Sequence, residues 1–148
     1  MNDCSKIIEK MAAVQYRINL NDKKPKNFGT NHLLYQSEIH FIDAIGITNE
    51  INASQLSSKL DITNGAVTQV SQKLSQKKLI EKYKKETNKK EVYFKLTKQG
   101  KIAYENHKDF HQELNNKLIV YLEALSQEQI NGILGLIDIA EKHIPRLS

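Results

Sequence analysis

Between Asn52 and Gly100 four elements follow one another in an order that leaves few folds open. Asn52-Ala-Ser-Gln55 has the form of a helix start, because an asparagine oxygen accepts from the first turn's unpaired N–H groups and Gln55 reaches back to the cap. Leu56 and Leu60 then recur at helical spacing. Asp61-Ile62-Thr63 interrupts with residues that favour turns and caps, and Thr63 is placed to cap a second helix running to about Lys77. The pattern predicts a helix, a three-residue turn and a second helix.

On that second helix Val67, Val70 and Leu74 form one stripe at about 100° per residue, which turns Gly65, Thr68, Gln69, Gln72 and Gln76 outward. Hydroxyls and carboxamides donate and accept, so they suit the edges of bases. Thr63, Asn64, Gly65 and Ala66 make a slim N-terminus that lets a phosphate come close, and Lys73 adds charge to the same face. A solvated amphipathic helix is the plain alternative, and the next segment argues against it. Leu79 to Tyr83 and Val92 to Leu96 are strand-like, rich in β-branched and aromatic residues, and the run from Lys84 to Glu91 lies between them. They predict a hairpin with a cationic tip, whose Lys84, Lys85, Lys89 and Lys90 would meet phosphates. Its second strand would place Val92, Phe94 and Leu96 on one face, with Tyr93 and Lys95 on the other.

Charge points the same way. From Lys59 to Lys101 there are 12 Lys against 4 acidic residues, a net of +8, whereas the remaining residues carry 10 basic and 13 acidic groups, a net of −3. A basic segment on an otherwise mildly acidic chain is the footprint of a polyanion-binding surface.

The runs Thr63-Asn-Gly-Ala-Val-Thr-Gln-Val, Leu79-Ile-Glu-Lys, Asn88-Lys-Lys-Glu-Val and Leu96-Thr-Lys-Gln-Gly100 resemble the winged helix-turn-helix of MarR-type transcriptional regulators. The resemblance implies a mainly α fold with a small β-wing, flanked by N- and C-terminal dimerisation helices. It also implies a homodimeric repressor that binds double-stranded DNA at a pseudo-palindromic operator and is modulated by a small effector. Many relatives carry an Asp and a minor-groove Arg where this chain has Asn88 and Lys90. Lysine keeps the charge but lacks the planar donor fork, so phosphate attraction is expected there rather than base reading.

The 148 residues suit a single domain, with a DNA-binding lobe over 33–100 and a helical lobe from 1–20 and 101–148. Helices are expected over 5–20, from about Leu33 or Ser37 to Ile45, from Thr97 to about Leu125, and over Gln127 to His143. A polar loop with Pro25 and Gly29 spans 21–30. Ile7, Met11 and Val14, together with Ile119, Leu122, Ile133, Leu134 and Ile137, exceed what a helical hairpin can cover alone and need a partner surface; the MarR resemblance implies a second copy, and a monomer core is the alternative. No secretory h-region or membrane span is legible, since the apolar run Ile133 to Ala140 is broken by Gly135 and Asp138. A cytoplasmic protein is therefore expected. Cys4 stands alone, without a disulfide framework.

His107 and His111 lie one turn apart on a stripe with Ala103, Leu114 and Leu118, so both rings are expected to face the interior or a domain junction. Zinc takes imidazole and carboxylate ligands, and such a pair supplies two of four; the alternative is packing histidines with local hydrogen bonds. Within the MarR family the chain is similar to the zinc-sensing adhesin-type regulators. That similarity implies a ligand set of Asp22, in the loop, with His40, His107 and His111. The second zinc site of those regulators is absent, because Phe28, Ile39 and Asn106 stand where a Cys and two acids are required. An enzyme is disfavoured, as there is no phosphate loop, nucleophile elbow, paired CxxC or HExxH. A winged-helix protein-interaction module without DNA binding is the better rival.

Overall fold

A computed structural model of the chain describes residues 2–144. Side-chain caps start most of its helices. Asn2, Asn52, Thr63, Thr97 and Ser126 each accept from a backbone N–H three residues on, opening α1 (Asp3–Asp22), α3 (Ala53–Leu60), α4 (Asn64–Gln76), α5 (Lys98–Glu123) and α6 (Gln127–His143). Such a cap contributes about 1 kcal/mol. The remaining helix, α2 (Gln36–Thr48), is opened by Glu38, whose Oε2 accepts from the Tyr35 N–H at 3.0 Å. Asp61 takes the left-handed conformation at φ 51° and closes the turn between α3 and α4.

The wing strands β4 (Ile80–Lys85) and β5 (Asn88–Leu96) pair antiparallel, with Ile80 opposite Leu96 and Tyr83 opposite Tyr93. They run further than side-chain pattern predicts. The strands absorb most of the charged run, leaving Glu86 and Thr87 as the tip. A strand not legible in the sequence, β3 (Ile51–Asn52), adds to the other side of β5 and gives the order β3-β5-β4. The 21–30 segment is also more ordered than a polar loop: β1 (Lys26–Asn27) pairs with β2 (Leu33–Leu34). Asp22 is the last residue of α1 rather than a loop residue.

Buried apolar side chains from Phe28 to Ala103 make one core, with Phe41, Ile42, Ile45, Leu56, Leu74 and Leu79 fully enclosed. Each such side chain stabilises the fold by about 1.5–3 kcal/mol. Val92 and Leu96 pack against this core beside buried Phe94, as strand alternation predicts. α5 is pinned at its start: Thr97 donates its hydroxyl to the Lys78 carbonyl at 2.7 Å, and Gly100 sits where a Cβ would lie 2.0 Å from the Leu79 carbonyl oxygen. Neither α1 nor α6 buries a residue. Among the described residues no helix is long and apolar enough to cross a membrane.

Candidate nucleic-acid interface

α4 buries Val67 and Leu74 and half-buries Val70, which anchors it against the core and leaves the opposite face in solvent. Thr63, Asn64, Gly65, Thr68, Gln69, Gln72, Lys73 and Gln76 are exposed, and Ala66 partly so. Thr68 donates its hydroxyl to the Asn64 carbonyl at 3.1 Å, so its oxygen faces outward as an acceptor, while Gln69 and Gln72 keep both donor and acceptor groups available. Ser71 was not singled out by the sequence. It is buried and donates to the Thr68 carbonyl at 3.0 Å, completing the inward stripe with a small polar residue.

The C-terminal end of α4 is tied to α2. Lys77 Nζ donates to Glu38 Oε1 at 2.7 Å and to the Leu33 carbonyl at 3.2 Å, and Glu38 is itself buried. One carboxylate therefore caps α2 and holds the end of the helix whose face is exposed. Removing either partner of a buried pair costs far more than the pair contributes net.

On the wing Lys84, Lys89 and Lys90 are exposed. Lys85 differs. Its ammonium pairs with Glu50 and lies 4.3 Å from the centre of the Tyr93 ring, so it serves the wing's own structure before any phosphate. Tyr83 donates to the other oxygen of Glu50 at 2.6 Å; burial first and this hydrogen bond second push the phenol up to about 12. The hydrogen bond from Lys85, then that from Tyr83, holds Glu50 below the usual carboxylate range.

An exposed polar helix beside a lysine-bearing hairpin is the geometry of a winged helix-turn-helix, and the model of the MarR family matches residues 34–92, the same segment. Residues 34–92 are a MarR-family segment. It is 33% identical over 102 residues to the HTH-type transcriptional regulator PchR of Bacillus subtilis (strain 168), a match covering 69% of this chain and 60% of PchR. The chain thus spans 60% of that relative's length. Among solved structures, FabT of Streptococcus pneumoniae in complex with DNA superposes with a TM-score of 0.73 at 27% identity, over 93% of this chain and 97% of FabT. The zinc-responsive MarR family member ZitR of Lactococcus lactis superposes at 0.73 over 95% of this chain and 98% of its own; its 15% identity speaks for the fold alone.

A cleft of about 480 Å³ opens where α1, the β1–β2 hairpin, α2 and α5 meet. Asp22, His107 and His111 line it, together with Phe28, Phe110 and Leu114. His107 is buried and its Nδ1 lies 2.6 Å from Asp43 Oδ2, a partner that the sequence reading missed. The only cue was Asp43 three residues after His40 on one helix. With Nδ1–H given to Asp43, Nε2 of His107 faces Nε2 of His111 at 3.0 Å. His40 stacks at a tilt on His107, 5.8 Å between ring centres. His107 lies inside and His111 lines the junction cleft, although His111, Leu114 and Leu118 are exposed, because the stripe they share with His107 runs past the end of the core. Partial burial, then the adjoining His107 ring, pulls the His111 imidazole below its usual range.

Two nitrogens bound tetrahedrally to one zinc at ~2.0–2.1 Å would stand roughly 3.3 Å apart, so the His107–His111 pair fits such an ion. The full expected set is not drawn together. Among the described residues no group of three or more His, Cys, Asp or Glu side chains is arranged to hold a metal. At the second position Phe28 is in the core, Ile39 is fully buried, and Asn106 donates to the Phe28 carbonyl at 2.9 Å.

Proposed function

We propose that the chain is a sequence-specific DNA-binding transcriptional regulator, a repressor acting in the cytoplasm as a homodimer on double-stranded DNA. The observation that carries this reading is the exposed hydroxyl and carboxamide face of α4, from Thr63 to Gln76, set beside the lysines of the β4–β5 wing. The face supplies base-edge partners and the wing supplies charge for phosphates. Dimer formation is supported by the flanks. Ile7, Val14 and Ile18 of α1, Leu114 and Leu118 of α5, and Leu134 and Ile137 of α6 are all exposed large apolar residues. Large apolar side chains left exposed at helical spacing on three helices call for a partner surface. We assign 33–100 to the DNA-binding lobe and 1–20 with 101–148 to the dimerisation lobe. Selection from a random duplex library tests the reading: a pseudo-palindrome with half-sites about 10 bp apart is expected. Recovery of unrelated sequences would reject sequence-specific binding.

The cleft is the seat of the effector in this reading. Phe28 and Phe110 give it aromatic walls and Lys24 and Lys26 a positive rim, which suits a small amphipathic molecule. A single-site zinc response is the second reading, favoured by the facing Nε2 atoms of His107 and His111 and by Asp43 behind His107, the partner that orients a ligating imidazole. His107 and His111 would hold the ion, with His40 and Asp22 as the further ligands that the zinc-sensing resemblance implies, and it would tie α2 to α5. Wild-type protein should then bind zinc more tightly than His107→Ala and His111→Ala, and zinc and operator should shift each other's affinity by one factor. Equal zinc affinities in all three proteins would leave these histidines as packing residues.

A further inference from the structure

Glu91 is the one acidic side chain on β5, and its carboxylate is gathered inward. A single oxygen, Oε2, accepts from Asn52 Nδ2 at 3.0 Å, from Asn88 Nδ2 at 3.0 Å and from the Tyr93 hydroxyl at 2.9 Å. Two of the donors, Asn88 and Tyr93, are on β5 itself, and the third, Asn52, comes from outside the hairpin. Asn52 is the cap of α3, and its Oδ1 is occupied by the Gln55 N–H at 2.8 Å, so one side chain joins the first helix of the helix-turn-helix to the wing. Asn88 begins β5 at the tip, where its own Oδ1 accepts from the Lys90 N–H at 3.2 Å and organises the backbone that carries Lys89 and Lys90. Tyr93 lies opposite Tyr83 in the sheet and under the Lys85 ammonium. Asn52, Asn64, Lys90 and Glu91 also line one shallow groove between the wing and the first residue of α4.

We infer that Glu91 is a positioning residue for DNA binding: it locks the wing tip to the cap of α3, so that Lys89 and Lys90 are held at a set distance and angle from the face of α4. This rests on the DNA-binding reading above. The inference makes a prediction opposite in sign to simple charge. An acidic residue within a phosphate-binding surface repels DNA, and its neutralisation would ordinarily strengthen binding and leave the contacts of neighbouring lysines intact. If Glu91 positions the wing, its loss releases the hairpin tip and binding weakens despite the removed negative charge. Pairing with β3 and the bonds of Glu50 to Tyr83 and Lys85 hold the rest of the hairpin, so such a loss frees the start of β5, from Asn88 to Lys90, rather than the whole wing.

The test is duplex affinity over a salt series for wild type, Glu91→Gln and Glu91→Ala, with thermal unfolding of each. Positioning predicts that Glu91→Ala binds about fivefold to tenfold more weakly, with a log-affinity versus log-salt slope reduced toward that of a protein lacking Lys89 and Lys90. Glu91→Gln keeps one carbonyl acceptor and should fall between wild type and Glu91→Ala, although both variants carry the same charge. Asn88→Ala added to Glu91→Ala should cost less than it does alone, since both act through one network. If Glu91→Ala does not fold, Glu91→Gln decides the matter by the sign of its effect. Wild-type protein that binds duplex while either variant binds as well or better overturns the positioning role and leaves the DNA-binding reading standing. Wild-type protein with no duplex affinity overturns both.

Discussion

The winged lobe and the flanking helices are built from the same residue types and end in opposite conditions. Among the described residues every buried apolar residue lies between Phe28 and Ala103, whereas most isoleucines and leucines of α1, distal α5 and α6 stand open in a single copy. Leu74 and Leu118 make the contrast concrete: each sits on the apolar stripe of an amphipathic helix, yet the first is fully enclosed and the second is half exposed. Periodicity thus says that a stripe needs cover, and it is silent about whether the cover belongs to the same chain. The winged lobe answers from within, and for the flanks the proposed dimer would supply the cover.

The largest expected effect separates the two regions directly. Leu74→Ala should lower stability by ~2–5 kcal/mol at any protein concentration, because the cavity it leaves lies inside one chain. Leu118→Lys should instead weaken association, make unfolding depend on concentration, and reduce operator affinity by on the order of 100-fold through loss of two-site binding. Sedimentation with denaturant unfolding at several concentrations reads both. A Leu118→Lys protein that stays dimeric would break the contrast.

Next in size is the base-reading face. Gln69→Ala or Gln72→Ala should cost about 1–3 kcal/mol of specific binding with no change in melting temperature, since neither side chain is buried. Unaltered discrimination between operator and random duplex in both variants would move base reading elsewhere.

Within the wing, neutralising Lys89 and Lys90 should weaken specific and random DNA alike and lower the salt slope by up to ~2 per wing. Neutralising Lys85 should change the slope less and loosen the wing itself, because its ammonium is engaged by Glu50 and the Tyr93 ring. Equal slopes for the two changes would mean that Lys85 leaves Glu50 for phosphate.

The smallest effect is a titration. Tyr83 is raised to about 12 in the folded protein against an ordinary value of 10.0, so the hydrogen bond it donates to Glu50 persists below pH 10 and is lost as pH rises through the folded value. The phenolate signal of wild type minus Tyr83→Phe should show a midpoint near 12. Glu50→Gln should bring it down.

The starts of α3, α4 and α5 were legible from the caps Asn52, Thr63 and Thr97, whereas α1 starts at Asp3, ahead of the expected 5–20. Thr63, Thr97 and Ser126 cap α4, α5 and α6, and α6 occupies the Gln127 to His143 range that periodicity predicts. What escaped had no local signature. β3 and the β1–β2 hairpin are two-residue strands, too short to show a period of two. The wing strands continue through Lys84, Lys85 and Asn88 to Glu91 because backbone pairing makes no demand on side-chain polarity there. In the candidate site, exposed positions on α4 followed from the stripe alone. The groups that orient the site did not: Glu38 meets Lys77 and Asn52 meets Glu91 across 39 residues, and Asp43 reaches His107 from another helix. Composition and spacing carry no record of such pairs.

Affinity of wild-type protein for duplex DNA across a salt series tests the central claim most directly. A winged lobe whose wing lysines and α4 N-terminus engage phosphates releases counterions, so log affinity should fall linearly with log salt, at a slope of about −0.9 for each phosphate neutralised. Neutralising Lys89 and Lys90 should flatten that slope. Absence of duplex affinity at low salt, or an affinity that salt does not change, would contradict the account and assign the winged surface to protein contacts.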